Sequence, residues 1–371
     1  MSIEARLEWA CPLARHVDRM VLRESALQAS SRWAAAGERL ADTAEVRMDA
    51  LPWCQPGGLP LAELPRSHFR LRTAPVAGRF YPRMVFSDLA QGPRDLYPVR
   101  LLAWDEEQVR VDPNHPLADR APQLVLCSSQ AEPAQGPRMA DLFEGPGVQQ
   151  LPADPTQAYF SLDDLSRPDE APDEQFYAQP RFVHHLDAAC RGEISLLYSR
   201  FLRPSMRVLD LMASWHSHLP EEPTDLCVSG LGMNEAELAA NGRLSERVVK
   251  DLNTRDGLPW GDACFDMVVC TASIEYLVRP QGVMAEIRRV LRPGGVCVVT
   301  FSDRWFPPKA IRVWGEIHPF ERLALVSSLF QAAGFSRLNT ETLRGLARPG
   351  DDKYAEQRAT ADPMFAVWGT A

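Results

Sequence analysis

Long apolar segments are missing from this chain of 371 residues. No uninterrupted apolar run approaches the ~20 residues that a membrane-spanning helix needs. The first residues, Met1–Arg6, contain an early acidic side chain and lack the apolar stretch of a signal peptide. We therefore expect neither a membrane partner nor a secretory leader.

Closely spaced cysteine pairs are also missing. The eight cysteines never form a C-x-x-C pair, and several lie in apolar runs, such as Cys270 in Met267–Cys270 and Cys297 in Val296–Val299. This placement is typical of buried free thiols in a reducing compartment rather than of a disulfide scaffold. The sequence predicts a cytoplasmic protein.

An excess of positive charge is the third absence. Forty Lys and Arg residues stand against 49 Asp and Glu residues, which gives a net charge of −9. Because affinity for nucleic acid comes from cationic contacts to phosphates, this balance argues against a nucleic-acid partner. The composition is that of a globular chain, and its length predicts about two domains at ~100–200 residues each. The oligomeric state is left open.

The first half of the chain contains three segments that differ in amino-acid composition. Residues 1–66 are predicted to be helical and turn-rich, since they begin Ala-, Leu- and Arg-rich and then collect prolines. Residues 67–130 contain short β-like pieces, and the alternation of Val109 and Val111 predicts a half-buried strand. Residues 131–175 are acidic and proline-rich, which is typical of a linker.

The second half, residues 176–371, alternates apolar runs with helical patterns. Such alternation predicts an α/β fold, a parallel sheet with helices on both faces. A ligand of such a sheet binds outside the carboxyl ends of the strands. Strands are expected near 206–210, 226–230, 247–251, 265–271, 295–301, 336–343 and 363–369, and helices near 180–201, 235–240, 283–291 and 321–334.

Three segments of this half carry a family resemblance. Arg207–Leu211 looks like the first strand of the class I S-adenosylmethionine-dependent methyltransferases, which ends on an acid. Leu258–Cys270 is similar to their L-P-F-x-D-x-x-F-D-x-V stretch, and Glu286–Val296 is similar to their E-x-x-R-V-L-K-P-G-G-x stretch. The resemblance implies a Rossmann-like sheet, the cofactor S-adenosyl-L-methionine, and methyl transfer to a small-molecule acceptor whose identity is open.

The loop after the first strand departs from the family pattern. The family has D-x-G-x-G-x-G here, whereas Asp210–Pro220 reads D-L-M-A-S-W-H-S-H-L-P and contains no glycine. The acid expected at the end of the second strand aligns with Gly232. Two explanations stay open: a working variant of the cofactor loop, or a non-catalytic binding scaffold with a pseudo-methyltransferase domain and a docking segment.

The resemblance also implies site residues. Asp210 would contact the amino-acid end of the cofactor, and Asn234 would bond a ribose hydroxyl. The loop side chains and the end of the third strand would complete the cofactor set, namely Ser214, Trp215, His216, Asp251, Leu252 and Asn253.

The segment that leads into the first strand adds further candidates. Tyr177 would cover the site, Arg181 would pair with the cofactor carboxylate, and His185 would act as a base because its unperturbed pKa is ~6.5. Tyr276 follows the fourth strand, where this fold places substrate-facing groups. His185 and Tyr276 are thus the catalytic candidates.

Two other clusters have more than one interpretation. His216 and His218 form an H-x-H pair without a third ligand at suitable spacing, so no metal is expected. The two side chains would either hydrogen-bond the cofactor or substrate, or cap the loop. Arg304, Trp305 and Lys309 follow the fifth strand, where they indicate either a wall for an anionic or planar substrate or a surface turn.

A short segment in the first half resembles a second family. Val109–Ala118 is similar to the V-V-D-x-N-H-P-L-A-G segment of SlyD-type FKBP prolyl isomerases, with Asp119 in place of the final glycine. The resemblance implies a small FKBP-like β-domain over 67–130. Because the local aromatic residues are too few to form a closed pocket, we expect docking or stability rather than isomerase activity.

Overall fold

The computed structural model describes residues 2–54, 58–71 and 73–371. Two compact units are present. The first holds the chain up to Asp164 together with Val313–Ser328, and the second holds Leu165–Arg312 and Leu329–Ala371. The division near Asp164 falls inside the segment that the sequence predicts as a linker.

The elements of the first unit, in chain order, are β1 (Ser2–Ala10), β2 (Ala14–Arg23), α1 (Ser31–Asp42), β3 (Glu45–Asp49), β4 (Ala62–Pro65), β5 (Phe80–Pro82), β6 (Pro98–Trp104), β7 (Gln108–Asp112), β8 (Gln123–Ser129), α2 (Met139–Glu144) and α3 (Pro155–Tyr159). Then follow α4 (Asp173–Tyr177), α5 (Ala188–Ser199), β9 (Arg207–Leu211), β10 (Cys227–Gly232), α6 (Glu235–Ala240), β11 (Glu246–Val249), β12 (Phe265–Thr271), α7 (Pro280–Val290), β13 (Leu291–Phe301), α8 (Arg312–Glu316), α9 (Glu321–Ala332), β14 (Ser336–Arg344) and β15 (Met364–Thr370).

More of the first 50 residues lie in the strands β1, β2 and β3 than in α1, so the predicted helical segment is wrong for most of its length. β1 pairs antiparallel with β2 and β8, and β8 pairs with β3. Along β1 every second side chain is buried: Ile3, Ala5, Leu7 and Trp9. A period of two is the signature of a strand with one covered face, and here it outweighs the helix propensity of Ala, Leu and Arg.

The β-pieces of residues 67–130 belong to two different sheets. β5, β6 and β7 form an antiparallel sheet with β4, in the order β4-β7-β6-β5. β8 instead joins the sheet of β1 and β3. Residues 67–130 are therefore not a separate β-domain, and the FKBP-like domain of the sequence analysis is corrected accordingly.

The motif that suggested that domain forms the turn after β7. The Asn114 backbone N–H donates to Asp112 Oδ1 at 2.9 Å, and the Asn114 side chain binds both backbone groups of Leu59. His115 is buried, accepts the Leu117 N–H on Nδ1 at 3.1 Å and donates from Nε2 to the Phe143 carbonyl at 2.8 Å. These bonds show that the motif forms a hydrogen-bonded turn, in which Asp and Asn side chains bind nearby backbone groups.

The second unit is built on a seven-stranded mixed sheet in the order β11-β10-β9-β12-β13-β15-β14. The first five strands are parallel, and β15 runs antiparallel to β13 and β14. The predicted strands and helices of this half are all present, but the helix expected to begin near residue 180 begins only at Ala188. The strand order reverses between β9 and β12, which opens a crevice at their carboxyl ends.

All eight cysteines are free thiols. Cys54, Cys190, Cys270 and Cys297 are buried as expected, whereas Cys227 is exposed. Within the ranges described above, no helix is both long and apolar enough to cross a membrane.

Candidate functional site

Two adjoining cavities lie at the carboxyl ends of β9, β10 and β12. The space inside them, counted together with the solvent at their open sides, is about 820 Å³ and about 850 Å³. Every lining residue belongs to the second unit. Eight residues line both cavities and thus form a shared wall: His185, Met212, Ala213, Ser214, Ala272, Ser273, Tyr276 and Phe306.

The twelve site residues predicted from the sequence all line one or both cavities. Six of them line only the first cavity: Tyr177, Arg181, Asn234, Asp251, Leu252 and Asn253. Three line only the second, namely Asp210, Trp215 and His216, and three lie on the shared wall, namely His185, Ser214 and Tyr276. Their roles stay predictions.

The glycine-free loop keeps a backbone conformation typical of glycine at one position, Met212. Met212, at the first expected glycine position, has a φ of 58°, a left-handed conformation that side chains rarely take. The Ala213 N–H donates to the Leu231 carbonyl at 2.7 Å. A Cβ on Gly232 would lie 2.2 Å from the Ala213 carbonyl oxygen. The loop thus approaches β10 so closely that the acid expected at position 232 has no room.

Side-chain hydrogen bonds hold this loop in place. Ser214 Oγ donates to Glu237 Oε2 at 2.5 Å, and Ser217 Oγ donates to Asp210 Oδ2 at 2.5 Å. Asn241 Nδ2 donates to the Ser214 carbonyl at 2.8 Å and to Ser217 Oγ at 3.1 Å. Fixed polar anchors therefore replace the glycines as the cause of the loop conformation.

Asp210 is the buried carboxylate of the second cavity. Burial raises its pKa to about 6, and the hydrogen bond from Ser217 offsets part of that rise. At neutral pH the carboxylate is mostly ionised in an environment that disfavours its charge. A cationic group bound beside Asp210 would relieve this cost, as the amino group of an amino acid does.

Asn234 is occupied by the protein rather than free for a ribose. Its Oδ1 accepts the Glu237 N–H at 3.1 Å and so caps α6. Its Nδ2 donates to the Tyr177 carbonyl at 2.8 Å and to the Ala178 carbonyl at 3.1 Å. The side chain thus fixes the segment before β9, and its contact to a ribose hydroxyl stays a prediction.

Asn253 is similarly engaged. Its Nδ2 donates to Asp173 Oδ2 at 2.9 Å and to the Tyr276 carbonyl at 3.0 Å, while its Oδ1 accepts the Val278 N–H at 2.8 Å. Asn253 therefore joins three segments around the first cavity.

Two acidic residues that line the first cavity, Asp173 and Glu237, were not predicted from the sequence. Asp173 lies in the acidic, proline-rich stretch that gave no periodic signal. Burial works to raise its pKa, but hydrogen bonds from Arg167 and Asn253 outweigh it and lower the pKa. Glu237 follows the cap residue Asn234 by three positions, a helix-start pattern that signals its placement.

The structure places the cationic candidates Arg181 and Lys309 in different surroundings. Arg181 lines the first cavity, with its guanidinium 4.4 Å above the Phe176 ring and Nη2 donating to the Phe176 carbonyl at 3.0 Å. Lys309 lines neither cavity; its buried Nζ donates to the Ala171 carbonyl at 2.6 Å. Arg181 therefore lines the first cavity, whereas Asp210 lines the second.

Four histidines line the second cavity: His184, His185, His216 and His218. The His184 and His216 ring centroids lie 5.0 Å apart, and those of His216 and His218 lie 5.4 Å apart. Burial lowers the pKa of each, to about 3 for His218. The imidazoles are therefore neutral at pH 7. Among the described residues no group of His, Cys, Asp or Glu has metal-binding geometry.

Tyr276 lies on the shared wall and is buried. Its hydroxyl accepts the Phe306 N–H at 2.9 Å. Burial, and next the nearby charge of Glu275, raise the pKa of the hydroxyl well above its usual value. The phenol is therefore protonated and can donate its hydrogen to a ligand.

These features fit S-adenosyl-L-methionine. The donor set offers a buried carboxylate at Asp210 for an amino group and acidic side chains around the first cavity for hydroxyls. Leu252 supplies an apolar wall beside Asp251. The left-handed turn at Met212 gives the loop backbone the path that a glycine loop would take.

Part of the second unit is similar to known proteins. Residues 218–299 match a family model described as "Methyltransferase domain", which is less than a quarter of the chain. The ubiquinone/menaquinone biosynthesis C-methyltransferase UbiE of Laribacter hongkongensis is 27% identical over 140 residues, which cover 34% of this chain and 55% of that protein. The protein of the same name from Burkholderia thailandensis is 28% identical over 123 residues, 33% and 44% of the two chains. The chain thus spans about half the length of the curated relatives it matches.

Solved methyltransferase structures resemble part of this chain, with TM-scores below 0.5. A possible histamine N-methyltransferase of Thermotoga maritima has a TM-score of 0.35 at 16% identity, covering 49% of this chain and 90% of that one. Phosphoethanolamine N-methyltransferase 2 of Haemonchus contortus, in complex with S-adenosyl-L-methionine, has a TM-score of 0.34 at 13% identity, with coverages of 48% and 52%. Likeness at this level says nothing about a substrate. The family match supports the predicted methyltransferase domain and its cofactor, S-adenosyl-L-methionine, and does not extend to the acceptor.

Proposed function

We propose that this protein transfers a methyl group from S-adenosyl-L-methionine to a small-molecule acceptor. The observation that carries the proposal is a pair of cavities with one shared wall at the carboxyl ends of β9, β10 and β12, with the buried carboxylate of Asp210 in one and Asp251–Asn253 in the other. The curated relatives are named C-methyltransferases, which makes carbon one candidate for the acceptor atom.

When bound, the cofactor supplies an electrophilic methyl group on a sulfonium. Asp210 accepts hydrogen bonds from the amino group, and the loop backbone from Met212 to Ser214 lies between the two cavities. Asp251 and Leu252 contact the nucleoside, with Glu237 and Asp173 as the nearby acids. The chain's main contribution is positioning, which brings two reactants together at high effective concentration.

The catalytic candidates lie where the two cavities meet. His185 and Tyr276 line both cavities and so reach cofactor and acceptor together. Burial lowers the pKa of His185, so its imidazole is neutral and able to accept a proton as the acceptor is methylated. The protonated Tyr276 hydroxyl orients a polar acceptor group.

One set of contacts favours the alternative of a binding scaffold without catalysis. The Asn234 and Asn253 side chains and the Ser214 hydroxyl are already hydrogen bonded to protein groups. If they do not rearrange, the nucleoside meets few free polar partners, and the domain would hold its fold without holding the cofactor.

Titration calorimetry with S-adenosylhomocysteine decides between the two. We expect binding by the full chain, strongly weakened in Asp210→Asn, whereas the exposed control Asp351→Asn binds as the unmutated protein does. No heat up to millimolar ligand would remove the methyltransferase proposal and leave the scaffold.

A further inference from the structure

Resting on the proposed function, we propose that the second cavity binds the methyl acceptor and that this acceptor is a neutral, planar aromatic compound with an apolar substituent. The shape and chemistry of the lining carry this inference.

Flat π-systems dominate the walls of the second cavity. Besides its histidines, the lining includes Trp215, Trp305, Tyr276 and Phe306. The Trp215 ring lies 4.7 Å from the His184 ring at an interplanar angle of 34°, so indole and imidazole together make an extended surface. Rings of this kind bind other rings by offset stacking or edge contacts, which favours a planar ligand over a puckered one.

The electrostatics argue against an anionic ligand. The cation of this cavity, Arg304, donates to the buried carboxylate of Asp362 at 3.0 Å and lies 4.7 Å above the Tyr354 ring. Asp362 also binds Arg348 at 2.6 Å, and Arg348 in turn faces Asp187 and Asp352, so three carboxylates surround the two guanidinium groups and balance their charge inside the protein. Burial lowers the pKa of all four imidazoles, so they are mostly neutral at pH 7 and offer an anion little positive charge. An anion would enter without a compensating partner, which is costly.

The mouth of the cavity is apolar and exposed. Phe182 and Val183 are each 51% exposed. Val183 lines the cavity, and its carbonyl accepts the Trp215 Nε1–H at 3.2 Å. The Phe182 ring lies 6.4 Å from the Trp215 ring in an edge-on arrangement. An apolar substituent on the bound ring would cover these side chains and remove their surface from water.

Three probes of similar size test the inference: 2-naphthol, which is planar and neutral at pH 7, 2-naphthoate, which is planar and anionic, and 2-decalol, which is neutral and not planar. Their dissociation constants are measured by calorimetry with the full chain saturated with S-adenosylhomocysteine. We expect 2-naphthol to bind about tenfold more tightly than 2-naphthoate, and about threefold to tenfold more tightly than 2-decalol, as for loss of an aromatic contact.

Trp215→Ala should weaken 2-naphthol binding by about fivefold, and Trp215→Phe should restore most of it. The control Trp104→Ala, an exposed indole that lines neither cavity, should change nothing. A circular dichroism spectrum and a melting temperature equal to those of the unmutated protein show that each variant is folded.

The outcomes separate the two proposals. Equal binding of the three probes, tightest binding of 2-naphthoate, or no effect of Trp215→Ala would overturn the aromatic acceptor while cofactor binding keeps the methyltransferase proposal. If S-adenosylhomocysteine does not bind, the methyltransferase proposal fails, and the same probe series on the ligand-free protein still decides what the second cavity accepts.

Discussion

Replacing Asp210 with asparagine should make the protein more stable and less able to bind its cofactor. The carboxyl pKa rises from 3.8 to about 6 in the folded chain because the group is buried. A shift of about two units corresponds to about 3 kcal/mol. Asparagine removes this cost and keeps an oxygen that can accept the Ser217 hydroxyl.

The gain should depend on pH in a defined direction. Below pH 3.8 the carboxyl is protonated in both folded and unfolded chains, so its ionisation costs nothing. As pH rises from 3.8 to about 6, the unfolded chain loses the proton first, and the folded state is increasingly penalised. The penalty is complete above about pH 6. Asp210→Asn should therefore gain up to about 3 kcal/mol at pH 8 and far less near pH 4.

Thermal unfolding at pH 8 and pH 4.5 measures the gain. A shift of about 2–4 °C per kcal/mol is usual for a domain of ~150–250 residues, so the melting temperature at pH 8 should rise by several degrees. The exposed Asp351→Asn is the control. S-adenosylhomocysteine affinity should fall about 10- to 100-fold, since a charged partner is worth ~1.5–3 kcal/mol. A gain that is absent at pH 8, or equal at both pH values, would refute the desolvation argument.

Four further changes probe the loop and the N-terminal unit. Ser214→Gly and His216→Gly should each weaken S-adenosyl-L-methionine binding by roughly 1–3 kcal/mol; equal or tighter binding in both would contradict a working loop. Ser217→Ala should raise the pKa of Asp210, so that S-adenosylhomocysteine affinity rises only at higher pH, and Ser217→Thr should restore the original pH profile. An unchanged profile in Ser217→Ala would show that the Ser217–Asp210 hydrogen bond does not set the pKa. Gly232→Ala should displace the loop, lower the free energy of unfolding by about 1–3 kcal/mol and weaken cofactor binding. Calorimetry measures the stability and the affinity, and Gly242→Ala is the control because its added Cβ meets no atom within 4 Å. In a standard peptide assay the full chain should show no prolyl isomerase activity above background, and rates like those of an FKBP enzyme would contradict our interpretation of the turn at His115.

The second unit was readable from sequence because its signals are local. Apolar runs such as Phe265–Thr271 are long enough to mark a buried parallel strand. The turn at Gly294, with a φ of 82°, separates α7 from the main part of β13. Once the alternation of strands and helices is recognised, the carboxyl ends of the strands must share one edge. That is why the twelve candidate residues could be placed at one pair of cavities.

The first 50 residues show the limit of local signals. Their Ala-, Leu- and Arg-rich composition favours a helix, and only α1 follows that preference. β1 is a strand because it finds partners in β2 and in β8, the latter more than 100 residues away in sequence. Pairing of this kind depends on which edges meet in three dimensions, so propensity did not decide it.

The sequence by itself determined that the cofactor loop has no glycine and that the strand after it ends on Gly232 without an acid. Only the tertiary structure joined the two facts, because the Ala213 carbonyl fills the space that a Cβ at position 232 would need. The same holds for Asp210: its identity is in the sequence, but its raised pKa comes from burial, which the hydrogen bond from the Ser217 hydroxyl offsets only in part. Close contacts and desolvation arise only when distant parts of a chain are packed together, and they set the chemistry of this site.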